Sequence, residues 1–473
     1  MFSPSLRLSE GRIRSIGLIA LSCGFFMVLL DSTVLNVALP SIEHTFGGSL
    51  ESLQWTVNSY TLLFASLLLT GGALADSYGS RRIFCLGLLI FSVASLLCSF
   101  ATSISLLIGA RVLQGIGAAI LVPASLSLIT HLFSDAKERA KAVSIWAGIA
   151  SLAVASGPLI GGILVDTFGW RSVFLVNVPF GGAAVLLTYL SIPPTPVQKR
   201  GLDLPGQILA IISCCALTYG LIEWGHVAPA LIAASFGVAL IAGGAFIMVE
   251  ARSSQPMMPL SLLRSWDTSA TLLIGLLYQF SFYGLLFVFA LFFQNTYHFN
   301  AITTGLAFLP QTAVGSFLLL FVTGRLMRRM RSSTMIVLSM ILASAGMLVI
   351  LLGVHTTFPV VMSGEALIGV CVGFIVSPMT ALVLVNTPKE QSGIASALLN
   401  AARQIGGVLG VALLGAALGN SATVAGMQSA LLIMGGACMI GLLLSISLAR
   451  RENARVATVP ARMERELQPI NID

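Results

Sequence analysis

Three ionisable side chains stand inside long apolar runs, where a charge is hard to keep. Asp31 lies in the run from Ile16 to Pro40, Arg111 in the run that begins at Ile104, and Glu365 in the run that begins at Phe358. An ionised carboxylate in hydrocarbon costs roughly 2.5 kcal/mol or more, so an acid retained there marks a functional site by default. Such an acid can alternate between a protonated and a charged form, because desolvation and a neighbouring charge act on the two forms differently. An arginine at the same level can tune that exchange. The expectation is a proton-coupling group of Asp31, Arg111 and Glu365 on the wall of one cavity. The competing reading is a static buried pair of Asp31 and Arg111 that only holds helices together.

Other chemistries find no support. No Gly-x-x-x-x-Gly-Lys-Ser/Thr loop is present to bind ATP. The five histidines, His44, His131, His226, His298 and His355, are isolated at the ends of apolar runs and lack metal-ligand spacing. All seven cysteines fall inside apolar runs, where they serve as packing residues, and none has disulfide or zinc spacing. No nucleophile stands with a base. The chain therefore reads as no enzyme, with no metal and no cofactor. The net charge of +7 comes from cations scattered in small groups rather than gathered in a strip, which argues against a nucleic-acid partner.

These side chains must be positioned by membrane helices. Of 473 residues, 56% are hydrophobic and only 9% charged, too little polar surface to coat a soluble particle. Apolar segments of spanning length begin near Ile16, Gln54, Ile83, Ile104, Ala142, Ser172, Leu204, Val227, Thr268, Ala301, Thr334, Phe358, Ser392 and Val424. They are about twice the ~10 residues of a barrel strand, so fourteen helices are expected. With the N-terminus in the cytoplasm, Arg171 alone of the 25 Lys and Arg residues falls on the far side, while Arg111 and Arg403 lie within helices. The opposite orientation would strand Lys137, Lys141, Lys199 and Lys389 outside, so the positive-inside rule places both termini in the cytoplasm of a multi-pass protein of the cell membrane. At ~1.5 Å per residue, Asp31, Arg111 and Glu365 come out at similar depth in the outer half of the bilayer.

The chain also repeats itself weakly. Gly109 and Pro123 in helix 4 recur as Gly364 and Pro378 in helix 12, and the Gly72-Ala-Leu74 end of helix 2 recurs as Gly324-Arg-Leu326 in helix 10. The division expected is a cytoplasmic start (1–15), a six-helix bundle (16–192), a linker carrying helices 7 and 8 (193–266, from the joint at Pro193 to Pro196), a second six-helix bundle (267–449) and a cytoplasmic tail (450–473).

Several segments resemble the major facilitator superfamily, in particular its fourteen-helix drug:proton antiporter branch. Leu30 to Pro40, LDSTVLNVALP, is similar to the helix 1 signature of that branch. GALADSYGSRR resembles the superfamily loop after helix 2 through Gly72, Leu74, Asp76, Gly79, Arg81 and Arg82, with Ser77 and Ser80 in place of usual arginines. ARVLQGIGAA, with Arg111, Gln114, Gly115 and Gly117, matches the pattern associated with proton handling. SGPLIGG, with Gly157, Pro158, Gly161 and Gly162, resembles the antiporter motif of exporters, and GWRSVFLVNVPFG, TGLAFLP and NAARQIGG are further similar stretches. The resemblance implies an all-α major-facilitator fold and export of a small lipophilic or amphipathic drug against protons. Export of an endogenous metabolite, nutrient uptake and a non-transporting receptor or scaffold are the alternatives.

Asn36, Trp55, Asn58, Gln114, Tyr278, Gln279, Tyr283, Gln311, Asn400, Arg403 and Gln404 are expected at the substrate cavity. The aromatic side chains of helix 9 would suit flat lipophilic or cationic substrates if they lined it, but most are expected to face lipid or form an interfacial belt. Trp55 and Tyr60 invite the same interfacial reading. Gly72, Asp76, Gly79, Arg81, Arg82 and the helix 5 motif are assigned to conformational change. The sequence leaves the oligomeric state open, with a monomer expected.

Overall fold

Runs this apolar have no water to satisfy their backbone, so helix is the one local solution. The computed structural model describes residues 10–195, 197, 203–253, 256–354, 357–388, 391–419 and 423–466, with side chains to residue 454. Pro196, Lys199, His355 and Lys389 lie outside the described residues. Among those described, fourteen helices are long and apolar enough to cross a membrane. They are α1 (Glu10–Phe46), α2 (Leu50–Tyr78), α3 (Ser80–Ser99), α4 (Ile104–Leu132), α5 (Ala136–Phe168), α6 (Ser172–Ser191), α7 (Leu204–Ile222), α8 (Pro229–Arg252), α9 (Trp266–Asn295), α10 (Leu309–Leu326), α11 (Ser332–Gly353), α12 (Phe358–Val385), α13 (Ser392–Leu418) and α14 (Val424–Glu466). Side-chain caps start several of them. Ser103, Asp135, Asp203 and Ser265 each accept from a backbone N–H in the first turn of the helix that follows.

Two helices are broken where the sequence pattern ran straight through. The tenth span opens with a separate turn, Ala301–Ala307, before Leu309 and Pro310 restart it, and a π-helical stretch, Leu319–Thr323, interrupts it again. In α6 the α-helix lapses at Val176, in the turn before Pro179. At the other extreme α14 runs on to Glu466, so the expected tail begins as helix.

The aromatic helix is the main correction. Every residue of α9 from Tyr278 to Phe293 is buried in protein, and the rings expected to meet lipid pack on α1, α12, α13 and α14. An all-round apolar helix reads the same in the sequence whether lipid or protein surrounds it. Tyr60 is likewise buried rather than interfacial, its hydroxyl donating to the Val28 carbonyl at 3.2 Å.

Helices α1 to α6 meet α9 to α14 along a seam where α1 packs on α9, α2 on α13 and α5 on α10. Gln54 donates to the carbonyls of Val411 and Ala412 at 2.8 and 2.7 Å. Gln294 reaches the Val37 carbonyl at 3.0 Å, and Asp166 accepts from the backbone N–H groups of Ala301 and Ile302 at 3.2 and 3.0 Å. These bonds lie toward the end of the bundle where α1 finishes at Phe46. Thr312 and Ser316 continue the seam toward mid-height on the carbonyls of Ala155 and Ser151. Helix α7 packs on both α2 and α13, one from each side of the seam.

Candidate transport site

Helix α1 carries Asp31 into contact with α4 and α6. Its carboxylate pairs with Arg111 through Oδ2, while Oδ1 accepts from Gln114 Nε2 at 2.7 Å and Asn177 Nδ2 at 2.9 Å. Arg111 also donates to Gln114 Oε1 at 2.7 Å and to the Thr56 carbonyl at 3.2 Å, and its guanidinium lies 4.3 Å from the Tyr60 ring centre. Ser95 accepts from Gln114 at 2.9 Å. Both ionic side chains are 1% exposed. Burial of two charges is tolerable because nearly every donor and acceptor around them is matched. Gln114, expected at the cavity, is a member of this network and is fully buried.

Glu365 stands apart from it. It is completely buried on α12, and neither carboxyl oxygen has a hydrogen-bond partner. Similar depth did not make the three ionisable groups one cluster, because α12 packs with α10 and α11 in the other half.

A second polar group lies across the seam. Ser32, next to Asp31, shares a hydrogen bond of 3.2 Å with the Tyr283 hydroxyl, and Tyr283 lies one helical turn from Gln279 on α9. Gln279 accepts from Arg403 at 3.4 Å, Asn400 accepts from Arg403 at 3.4 Å, and the Arg403 guanidinium lies 5.8 Å from the Tyr278 ring centre. Five of the residues expected at the cavity therefore come together: Tyr278, Gln279, Tyr283, Asn400 and Arg403. Asn58 and Gln311 are buried with unpartnered amides, Asn36 donates to carbonyls of its own helix, and Gln404 is half-buried. Trp55 is not in this group. Its indole N–H donates to Glu223 at 3.0 Å and its ring packs near Tyr219, which makes it a contact between α2 and α7. His226 is not isolated either, lying 2.7 Å from Glu51.

The α5 glycines sit where helices nearly touch. Gly157 and Gly161 face Thr33 and Val34 of α1, while Gly162 faces Ala301 and Ile302 across the seam, where an added Cβ would stand 2.8 Å from the Ile302 Cα. After α2, Gly79 turns the chain with φ of 90° and Arg81 donates to the Tyr189 carbonyl at 3.3 Å. Asp76 lies in the last turn of α2, Gly72 faces Pro123, and Arg82 is exposed. Ser80, in place of a usual arginine, is buried and shares a hydrogen bond of 2.8 Å with Ser127.

Asn177, Ser95 and Asp166 escaped the sequence reading. Asn177 and Ser95 are polar residues inside apolar runs, the same signal that singled out Asp31, and Asn177 lies within GWRSVFLVNVPFG.

The profile of the Major Facilitator Superfamily matches residues 21–411. The chain belongs to that superfamily. It is 37% identical over 441 residues to the methylenomycin A resistance protein of Bacillus subtilis, covering 90% of this chain and 92% of that one. It is 37% identical over 417 residues to the multidrug resistance protein Stp of Mycobacterium tuberculosis (86% and 76%), and 35% identical over 427 residues to the cephamycin export protein CmcT of Amycolatopsis lactamdurans (87% and 86%). The fold matches a bacterial homologue of the human lysosomal transporter Spinster, solved in an inward-facing, occupied conformation, with a TM-score of 0.66 at 18% identity over 92% of this chain and 97% of that one. This major facilitator is thus an all-α, multi-pass membrane protein of a transporter family, not an enzyme.

Proposed function

We propose that this major facilitator exports a small lipophilic or amphipathic drug from the cell in exchange for protons, by alternating access between helices α1 to α6 and α9 to α14, with α7 and α8 as an inserted pair. The observation that carries the reading is the buried Asp31–Arg111 pair on a seam helix. A proton on Asp31 cancels its attraction for Arg111 and loosens α1 from α4, and loss of the proton restores the pair. Because α1 also packs on α5 and α9, that change acts on the seam. Resistance to drugs, as in the relatives named above, would follow.

The orientation proposed has both termini in the cytoplasm, the inner membrane being the site in a Gram-negative cell. The seam bonds near Phe46 then lie at the outer face of the membrane. The transporter acts as a monomer and needs no cofactor beyond the proton gradient. The test is energised efflux of fluorescent amphiphiles, cationic, neutral and anionic, from cells expressing the native chain or Asp31→Asn, with and without an uncoupler. Uncoupler-sensitive efflux lost in Asp31→Asn is expected. Efflux by the native chain that ignores both the uncoupler and the substitution would refute proton coupling through Asp31, and no efflux of any probe despite membrane expression would refute drug export.

A further inference from the structure

Arg111 and Arg403 both lie well inside membrane-spanning helices, and they are treated differently. Arg111 has a carboxylate and a fully buried shell of acceptors. Arg403 has neither. Its two hydrogen bonds, to the neutral amide oxygens of Gln279 and Asn400, are both long at 3.4 Å, and its Nε is buried without an acceptor. Among the described residues it forms no ion pair. A guanidinium cannot shed its charge, and cations within membrane helices either pair or face a water-filled space.

The acids of the bundle do not answer it. Both oxygens of Asp31 are taken by Arg111, Gln114 and Asn177. Glu365 lies about 20 Å of helix from Met379, the α12 residue that meets Gly275 beside Arg403. What surrounds Arg403 is instead suited to a bound molecule. Asn400 is exposed and Arg403 half-buried, the amides of Gln279 and Asn400 offer further N–H donors, and the buried Tyr278 ring backs the guanidinium at 5.8 Å. Tyr283 ties the group to Ser32 on α1, so the site abuts the seam.

We infer that the site takes amphipathic organic acids, with the carboxylate on the guanidinium of Arg403. The planar fork of arginine matches a carboxylate through two parallel hydrogen bonds, which a lysine cannot reproduce. The inference rests on the export reading and names its substrate class.

Three probes of one skeleton test it: pyrenebutyrate, its methyl ester, and the corresponding pyrenebutyl trimethylammonium ion. Their binding to purified full-length protein in lipid nanodiscs is followed by pyrene fluorescence. The native protein should bind pyrenebutyrate roughly ten-fold or more tightly than the ammonium probe. Arg403→Gln should abolish that preference, and Arg403→Lys should restore only part of it. Thermal unfolding of each variant separates lost binding from lost fold. Equal binding of the three probes, preference for the ammonium ion, a preference that survives Arg403→Gln, or no binding of pyrenebutyrate would each overturn the assignment. If cells still export cationic or neutral dyes in that event, drug export stands and only the acid class falls.

Discussion

Removing one charge from the Asp31–Arg111 pair should cost very different amounts depending on which is removed. In Asp31→Asn the guanidinium of Arg111 remains buried, holding Gln114 and the Thr56 carbonyl but no anion. It cannot be neutralised, so the full penalty of an uncompensated buried charge applies, about 3–5 kcal/mol. In Arg111→Gln the acid left behind can take up a proton and become neutral, while Gln114 and Asn177 still donate to Oδ1. The remaining cost is that of lost hydrogen bonds, on the order of 1–3 kcal/mol. The double variant Asp31→Asn/Arg111→Gln carries no buried charge and should be more stable than Asp31→Asn alone. Thermal unfolding in detergent, followed by reaction of the buried thiols of Cys98, Cys371 and Cys438 with a maleimide dye, gives the order directly. If Asp31→Asn unfolds no earlier than Arg111→Gln, or if the double variant is the least stable of the three, the network does not work through charge compensation.

Other perturbations separate the elements of the site. Asn177→Ala deprives Asp31 Oδ1 of one of two donors and should cost about 1–3 kcal/mol in the same unfolding assay, less than Asp31→Asn; an equal or larger loss would mean that Asn177 acts through packing. Gly162→Leu puts a side chain where a Cβ alone comes within 2.8 Å of the Ile302 Cα. It should hold the seam open near Phe46, seen as faster labelling of a thiol introduced as Val37→Cys by an impermeant maleimide; unchanged labelling would show that the seam relaxes around the insertion. Trp55→Phe removes the bond to Glu223 and should cost about 1 kcal/mol of stability while leaving efflux intact, whereas loss of transport with stability unchanged would return Trp55 to the cavity.

Helix number and the polarity of Asp31 and Arg111 were legible because hydrocarbon penalises charge and unpaired backbone so heavily that exceptions stand out in one dimension. Partnership was not. Asn177 lies 146 residues from Asp31 and Gln54 lies 357 from Val411, and nothing in a local pattern records which helices become neighbours. Depth counting placed Glu365 level with Asp31 but could not say on which side of the seam it falls. The repeat behaved likewise: Pro123 and Pro378 both sit inside helices, yet Gly364 packs tightly on Ile350 while the space beside Gly109 is open. A residue such as Arg403 illustrates the remaining gap. Next to small residues in NAARQIGG it reads as a packing position, and its lack of an acid partner becomes visible only when α9 and α13 are in place. What separates it from Arg111 is therefore the identity of neighbours drawn from other helices, a property that helix packing creates and that composition along one helix cannot carry.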